Sequence, residues 1–191
     1  VAQFYVACAL SALEHLHERS ILYRDLKPEN VLLDTRGYAK LCDMGFARFS
    51  LGKTYTCCGT PEYMAPEVID FSGYSFPVDW WSLGVLTCEL LTGHEPWEVE
   101  YSDDDTGAWI GVLHKAQERG IPYDVLPRAF RPPQAAAFVR NLLRVRVSDR
   151  LGTKGGATSV KNHRWFTESK FSFDALLRGE LTSPKTPPPF E

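Results

Sequence analysis

Two short stretches in the first quarter of the chain carry the side chains that phosphate chemistry needs. Asp25, Lys27 and Asn30 lie close together, and Asp43 follows them after a short gap. Magnesium prefers hard oxygen ligands such as those of Asp and Asn, and a cation offsets the charge of a moving phosphate. A carboxylate within hydrogen-bond reach of an alcohol can accept its proton. The four residues therefore provide one group of each kind for moving a phosphoryl group from a nucleotide to an alcohol.

These stretches belong to a longer series of motifs. Residues 23–30 read Y-R-D-L-K-P-E-N, residues 42–46 read C-D-M-G-F, and residues 59–67 read G-T-P-E-Y-M-A-P-E. The series resembles the catalytic domain of eukaryotic Ser/Thr protein kinases, in the group that depends on cyclic nucleotides. The run L-L-R-G-E-L-T-S-P at residues 176–184 looks more like the cGMP-dependent members than the cAMP-dependent ones.

The resemblance implies a role for each chemistry-bearing residue. Asp25 matches the catalytic base, Lys27 matches the cation on the transferred phosphate, and Asn30 and Asp43 match the two magnesium ligands. Met44 replaces the Phe of the family motif and keeps an apolar side chain of similar bulk. The implied cofactors are ATP and Mg²⁺. The implied nucleotide-site residues are Lys27, Glu29, Asn30, Leu32, Cys42 and Asp43.

The resemblance also implies how the enzyme would be switched on. Thr56 matches the phosphorylated residue of the activation loop, and its phosphate would pair with Arg24 and Arg48 through charge-assisted hydrogen bonds. Thr60 is expected to contact the base and the lysine on the substrate side, and it is not the expected phosphorylation site.

Substrate choice is implied by two acidic residues. Glu29 and Glu89 match the carboxylates with which this group recognises Arg or Lys before the target Ser or Thr, where arginine can bind in bidentate fashion. Three further residues have structural roles in the family. Glu67 is expected to pair with Arg150, and Asp79 is expected to hold the backbone of the loop at residues 23–30.

The composition excludes several classes of protein. The chain has 191 residues with 44% hydrophobic and 24% charged residues, which is ordinary for a globular protein. Its net charge of -3 argues against a nucleic-acid binder, and no apolar run approaches the roughly 18 residues of a membrane helix. The five cysteines are odd in number and form no C-x-x-C pair, so we expect free thiols and a reducing, cytoplasmic (intracellular) location.

The elements that would position these residues are mainly helical. Apolar spacing predicts helices over residues 1–18, 77–91 and 135–145, and short apolar runs at residues 30–33 and 39–42 predict a small hairpin. We therefore expect a mainly α structure corresponding to the large helical lobe of an α+β kinase-like fold, without the small β lobe. The expected domains are the kinase lobe over residues 1–166 and a kinase C-terminal tail over 167–191, ending in a polyproline-like segment.

The sequence also lacks motifs that the family uses to cover the nucleotide. There is no G-x-G-x-x-G loop and no V-A-I-K lysine, so we expect a piece of a longer protein that transfers little phosphate by itself. The missing part could contain cyclic-nucleotide-binding domains. The alternative hypothesis is a pseudokinase or scaffold that binds partners through the helical lobe. The intact set of Asp25, Lys27, Asn30 and Asp43 favours the enzyme.

Overall fold

The computed structural model describes residues 1–97, 108–122, 124–126 and 132–187. Within these ranges the chain is mainly helical, with four short strands, which confirms the expected fold class. The α-helices are α1 (Ala2–His17), α2 (Pro66–Ile69), α3 (Pro77–Thr92), α4 (Ala108–Glu118), α5 (Pro133–Leu142), α6 (Gly156–Lys161), α7 (Arg164–Thr167) and α8 (Phe173–Leu177). The strands are β1 (Ile21–Leu22), β2 (Val31–Leu33), β3 (Ala39–Leu41) and β4 (Arg48–Phe49). None of the helices in the described ranges could span a membrane.

Helix α3 lies at the centre of the hydrophobic core and packs against α1 and α5. It begins with Pro77 in its first turn and ends at Gly93, which adopts the left-handed conformation (φ 91°) and donates its N–H to the carbonyl of Glu89. Residues 78–88 of this helix are all buried, as expected for a helix that is apolar on every face. The predicted boundaries, 77–91, are confirmed to within one residue.

Helix α1 confirms the prediction for residues 1–18. Val6, Leu10 and Leu13 recur at helical spacing and are completely buried against the core. No side chain caps its first turn, so its stability comes from this buried face.

The predicted hairpin is formed by β2 and β3, which pair in antiparallel register with Val31 opposite Leu41. Beyond this pair, the N–H of Cys42 donates to the carbonyl of Asn30 at 3.0 Å. The hairpin therefore brings the end of the loop at residues 23–30 next to the residue that precedes Asp43. A second antiparallel pair, β1 with β4, returns the chain to the start of the same loop.

Helix α5 differs from the prediction of 135–145, because it begins at Pro133 and ends at Leu142. The early end is explained by a side chain from the loop that follows the helix. Arg150 donates to the carbonyls of Arg144 and Val145 at 3.0 and 3.4 Å, so these groups face a side chain from outside the helix. The chain leaves the helix where those carbonyls gain this partner.

The C-terminal segment lies on the body of the molecule over residues 181–187. The Tyr38 hydroxyl donates to the carbonyl of Leu181 at 2.5 Å, and Ser183 Oγ donates to the carbonyl of Gly37 at 2.8 Å. Tyr38 and Gly37 both belong to the turn between β2 and β3, so the C-terminal segment is attached to that turn. The last four residues of the predicted tail, 188–191, lie outside the described residues.

Candidate active site

The loop at residues 23–30 is held from below by a buried carboxylate. Asp79 is completely buried in α3, and its two oxygens accept the backbone N–H groups of Tyr23 (3.0 Å) and Arg24 (2.8 Å). His17 Nε2 lies 2.7 Å from the same carboxylate. Arg24 has a positive φ of 69°, which is uncommon for a residue with a Cβ atom. The contacts of Asp79 hold the loop in this conformation.

The carboxylate of Asp25 is at the centre of the polar network. Its side chain is buried, Oδ2 accepts from Asn30 Nδ2 at 2.7 Å, and Oδ1 accepts from Thr60 Oγ1 at 2.9 Å. Lys27 Nζ donates to Thr60 Oγ1 at 2.7 Å and lies 3.4 Å from Asp25 Oδ2. The carboxylate is thus surrounded by two hydrogen-bond donors and one cation. Such a carboxylate can accept a proton, and the lysine can offset the charge of a phosphate.

Asn30 and Asp43 lie just before and just after the β2–β3 hairpin. The Asn30 amide nitrogen donates to the backbone carbonyl and to the carboxylate of Asp25, so its oxygen is left as an acceptor. Asp43 is exposed, has a positive φ of 52°, and accepts the N–H of Gly45 at 2.9 Å. An amide oxygen and an exposed carboxylate are donors that Mg²⁺ prefers, together with water and phosphate oxygens. The residues present therefore fit that ion.

The described residues contain no group of three or more His, Cys, Asp and Glu side chains that could enclose a metal by themselves. This agrees with the chemistry of Mg²⁺, which usually takes only one or two ligands from the protein and completes its shell with water and substrate phosphates.

The other expected nucleotide-site residues lie on the hairpin and the turn before it. Leu32 is 57% exposed in β2, and Glu29 is exposed in the short 3₁₀ helix Pro28–Asn30. Cys42 is half-buried, and its carbonyl accepts the hydroxyl of Tyr23 at 2.5 Å. Burial raises the pKa of Tyr23, so this hydroxyl stays a donor over the physiological range. An exposed leucine at this place provides an apolar surface beside the polar groups.

Thr56 and the two arginines expected to bind its phosphate are brought into one network. Arg48 Nη1 lies 3.4 Å from Thr56 Oγ1 and 3.1 Å from Thr54 Oγ1. Arg24 reaches the same segment through Tyr74, whose hydroxyl accepts from Arg24 Nη1 at 3.1 Å and donates to the carbonyl of Thr56 at 2.5 Å. Thr56 is exposed, so its hydroxyl is open to modification while two guanidinium groups stand near it.

Glu89 lies half-buried in α3 and accepts the hydroxyl of Tyr63. Desolvation raises the pKa of Glu89 above its usual range, and the negative charges of Glu95 and Glu29 raise it further. Burial also raises the pKa of Tyr63, which keeps the hydroxyl protonated as a donor. Glu29, Glu89 and Glu95 therefore lie close enough to interact, and their combined negative potential would attract a cation.

Glu67 and Arg150 form the expected pair. Both are buried, and the guanidinium donates in bidentate fashion to Glu67 Oε1 (2.5 Å) and Oε2 (2.9 Å). Arg150 also donates to the carbonyl of Pro77 at 3.1 Å and lies over the ring of Trp81, 5.0 Å from its centroid. The pair thus joins α2, the start of α3 and the loop after α5.

Some residues that support this site were not found from the sequence. Tyr74 and His17 act across 18 to 62 positions of the chain, and no local pattern marks such partners. Gly59 carries a weak signal as the first residue of its motif. Its φ is 108°, and a Cβ atom there would lie 2.5 Å from the carbonyl oxygen of Arg24, so only glycine allows this approach.

The chain is similar to known proteins over most of its length. The protein kinase domain family matches residues 1–166. The chain is 41% identical over 189 residues to cAMP-dependent protein kinase type 3 of Saccharomyces cerevisiae, covering 98% of this chain and 44% of the relative. It is 43% identical over 187 residues to human cGMP-dependent protein kinase 2, covering 96% of this chain and 23% of that relative.

A third relative is the cAMP-dependent protein kinase catalytic subunit of Dictyostelium discoideum, which is 43% identical over 168 residues. The match covers 87% of this chain and 24% of the relative. The chain therefore spans less than half the length of these relatives. The resemblance to the cyclic-nucleotide-dependent group is confirmed, and both cAMP- and cGMP-dependent kinases are similar to the chain to nearly the same degree.

Proposed function

Because the chain belongs to the protein kinase domain family, we propose that the protein containing it transfers the γ-phosphate of ATP to Ser or Thr residues of other proteins. The observation that carries this proposal is the network around Asp25, in which Asn30, Thr60 and Lys27 surround one buried carboxylate. Buried carboxylates can also be structural, as Glu67 and Asp79 are here. What favours catalysis at Asp25 is the cation of Lys27 together with the amide of Asn30, whose free oxygen could bind Mg²⁺.

In this mechanism Asp25 accepts the proton of the substrate hydroxyl as that oxygen attacks the γ-phosphorus of ATP, the bond from that phosphorus to the β–γ bridging oxygen breaks, and ADP leaves. Lys27 stabilises the negative charge of the transferred group, and Thr60 keeps lysine and carboxylate at their separation. Mg²⁺–ATP supplies the phosphoryl group when bound, and Asn30 and Asp43 would hold the metal.

The proposed substrates are proteins with Arg or Lys before the target residue. Glu29 and Glu89 would bind guanidinium groups, because a bidentate pair is stronger than a single lysine contact. Burial first, and the neighbouring carboxylates second, raise the pKa of Glu89, and a cation placed there would offset both effects.

The proposed switch is phosphorylation of Thr56. A phosphate would add negative charge and three acceptor oxygens next to Arg48. Arg24 is connected to the same segment through the hydroxyl of Tyr74, which accepts from Arg24 and donates to the carbonyl of Thr56. The new hydrogen bonds would order the segment that carries Thr60.

We place residues 1–166 as the helical lobe of the catalytic domain and residues 167–191 as its C-terminal tail. The longer protein would add a strand lobe over the nucleotide and could carry cyclic-nucleotide-binding domains. We propose a cytoplasmic location and no nucleic-acid partner. These statements follow from the family resemblance, the cysteine content and the charge of the chain, and each is open to test.

The test compares two polypeptides, the 191-residue chain and the longer protein that contains it. Transfer of ³²P from ATP to an arginine-containing peptide is expected from the longer protein, with little from the 191 residues alone. Asp25→Asn in the longer protein is expected to lower the rate by at least 100-fold, the size of a general-base effect. Asp149→Asn is the matched control, because Asp149 is exposed and outside the network.

The outcomes separate the hypotheses. Strong transfer by the 191 residues, abolished by Asp25→Asn, would contradict the need for a further lobe. No transfer by a correctly folded longer protein, phosphorylated on Thr56, would favour the scaffold alternative.

A further inference from the structure

A basic groove lies between the end of α4 and the loop that follows α5. It is open to solvent and has a volume of about 640 Å³. None of the residues that line it belongs to the loop at 23–30, the hairpin or the segment around Thr56. Four arginines line it: Arg119, Arg140, Arg144 and Arg146.

The loop that carries two of these arginines is fixed from inside. Arg150 binds the carbonyls of Arg144 and Val145 and is itself bound to buried Glu67. The backbone is therefore anchored, while the side chains of Arg144 and Arg146 are exposed. Arg140 is held on the other side by a hydrogen bond to the carbonyl of Leu126. Anchoring of this kind lowers the ordering cost of binding.

Among the described residues, the carboxylates that line the groove balance only part of its positive charge. Glu118 and Asp149 are the carboxylates among its lining residues, and the arginines outnumber them. In the described part of the chain, no ion pair involves Arg119, Arg144 or Arg146. The chain as a whole has a net charge of -3, so the groove is positively charged although the whole chain is negatively charged.

The favourable interaction of a cation with a helix C-terminus explains the positions of only some of these arginines. Arg119 and Arg144 follow α4 and α5 closely, and a cation near a helix C-terminus is favourable. Arg146 lies beyond the last turn of α5, where this effect has faded, so it has no such explanation.

The groove also has an apolar component. Ile121, Leu143 and Val145 line it together with the arginines, and Leu143 is buried while the other two are half-buried. A ligand that bound only as a point anion would not need this surface. A chain that alternates acidic and apolar side chains would use both.

We propose that this groove docks a partner protein through a peptide segment that carries acidic or phosphorylated side chains next to apolar ones. A groove lined by ten residues favours a peptide over nucleic acid, which needs an extended basic surface to follow its phosphates. An interfacial membrane contact needs large exposed apolar side chains beside the basic ones, and Ile121 and Val145 are partly covered. The docking surface is independent of phosphotransfer at Asp25.

The experiment measures binding of a fluorescein-labelled peptide, (Glu-Leu-Asp-Glu)₃, by anisotropy at 50 mM salt. The full chain is expected to bind it at least ten times more tightly than the peptide in which Gln and Asn replace Glu and Asp. Arg144→Gln combined with Arg146→Gln is expected to weaken binding at least tenfold. Arg164→Gln combined with Arg178→Gln is the matched control, because both arginines are exposed and already paired with glutamates. The control is expected to change affinity less than twofold.

Three results would overturn the proposal. They are equal losses in the two double variants, no binding of the acidic peptide up to 100 μM, and tighter binding of a 20-nucleotide RNA or of phosphatidylserine vesicles through the same two arginines. Circular-dichroism melting of each variant shows whether a loss of binding comes from unfolding. A variant that melts like the parent chain and loses the peptide supports the docking groove.

Discussion

At the residue scale, the hydroxyl of Thr60 couples the carboxylate and the cation of the candidate site. It donates to Asp25 and accepts from Lys27, so neither charge can move without losing a hydrogen bond. Thr60 comes from the segment after Gly59, whose close approach to the carbonyl of Arg24 brings it within reach. The segment that follows Gly59 therefore contributes one atom, Thr60 Oγ1, to the candidate site.

We predict that Thr60→Val in the longer protein lowers kcat about 10- to 100-fold, as expected when a hydrogen bond to a charged group is lost. The reason is that Lys27 and Asp25 lose their common partner. Steady-state kinetics with a basic peptide provide the measurement, and Thr92→Val is the control, since the partners of the Thr92 hydroxyl, Cys88 and His94, lie near the end of α3 and outside the Asp25 network. Equal kcat values for the two variants would contradict the coupling.

A second prediction concerns pH and substrate affinity at Glu89. Its raised pKa means that the carboxylate is lost at a higher pH than in an ordinary glutamate, so the KM for an arginine peptide is expected to rise as pH falls from 7.5 towards 5. The same shift makes this residue's contribution to folding stability fall as pH rises through that window, because the folded state holds the proton more tightly.

The test is the pH profile of KM for Glu89→Gln in the longer protein. At pH 7.5 its KM is expected to be about tenfold higher than that of the parent, the size of a charge-assisted pair, and the pH dependence should flatten. Glu18→Gln, on the exposed end of α1, should leave both unchanged. A parallel pH profile in Glu89→Gln would refute the role of this carboxylate.

At the scale of elements, α7 shows how a short helix depends on one imidazole. His163 Nδ1 accepts the N–H of Trp165 at 3.2 Å and so caps the helix, while Nε2 faces the Asn141 amide at 3.3 Å. Burial lowers the pKa of His163, and Arg164 lowers it further. A protonated ring has no acceptor at Nδ1, so protonation and the cap exclude each other.

We predict that folding stability falls as pH drops through the ordinary histidine pKa near 6.5, because the unfolded chain then binds more protons than the folded one. His163→Asn keeps a capping side chain without titration, and it should reduce the slope of stability between pH 7.5 and 5.5. Urea unfolding of the chain measures that slope. His94→Asn, at an exposed position, serves as control and should keep the parent slope.

Sequence patterns predicted the elements whose signals are local. Pro77 and Gly93 mark the two ends of α3, and the structure agrees to within a residue. The predicted end of α5 was wrong because Arg150, which lies outside the apolar pattern, binds the carbonyls that would have continued the helix. Helices α2, α4, α6, α7 and α8 were not predicted, since most of them are too short for a periodic pattern.

The candidate site was predicted through its motifs, which is why the loop residues were identified and their supports were not. Tyr74 has no motif of its own, and its hydroxyl is significant only because the fold places Arg24 and Thr56 on either side of it. Packing across such distances depends on the whole core, and a single sequence contains no direct record of it.

At the scale of the whole molecule, the Glu67–Arg150 pair connects three parts of the fold. Arg150→Met is predicted to cost about 3–5 kcal/mol of unfolding free energy, because Glu67 would be left as a buried charge without its partner. Arg146→Met, at an exposed position a few residues away, should change stability by less than about 0.5 kcal/mol.

Urea unfolding at neutral pH measures both variants. Adding Glu67→Leu to Arg150→Met should recover part of the loss, since the isolated charge is then removed. No recovery in the double variant would mean that the backbone carbonyls bound by Arg150 matter more than the ion pair.

The contact between the C-terminal segment and the β2–β3 turn has a mechanical consequence. Tyr38 and Ser183 fasten residues 181–185 to the hairpin, and a Cβ atom at Gly37 would lie 2.0 Å from the carbonyl oxygen of Lys185. A force applied at residue 187 would therefore reach the hairpin that separates Asn30 from Asp43 before it loaded α3. Tension on this end would therefore act on the hairpin whose two ends carry the expected magnesium ligands, Asn30 and Asp43.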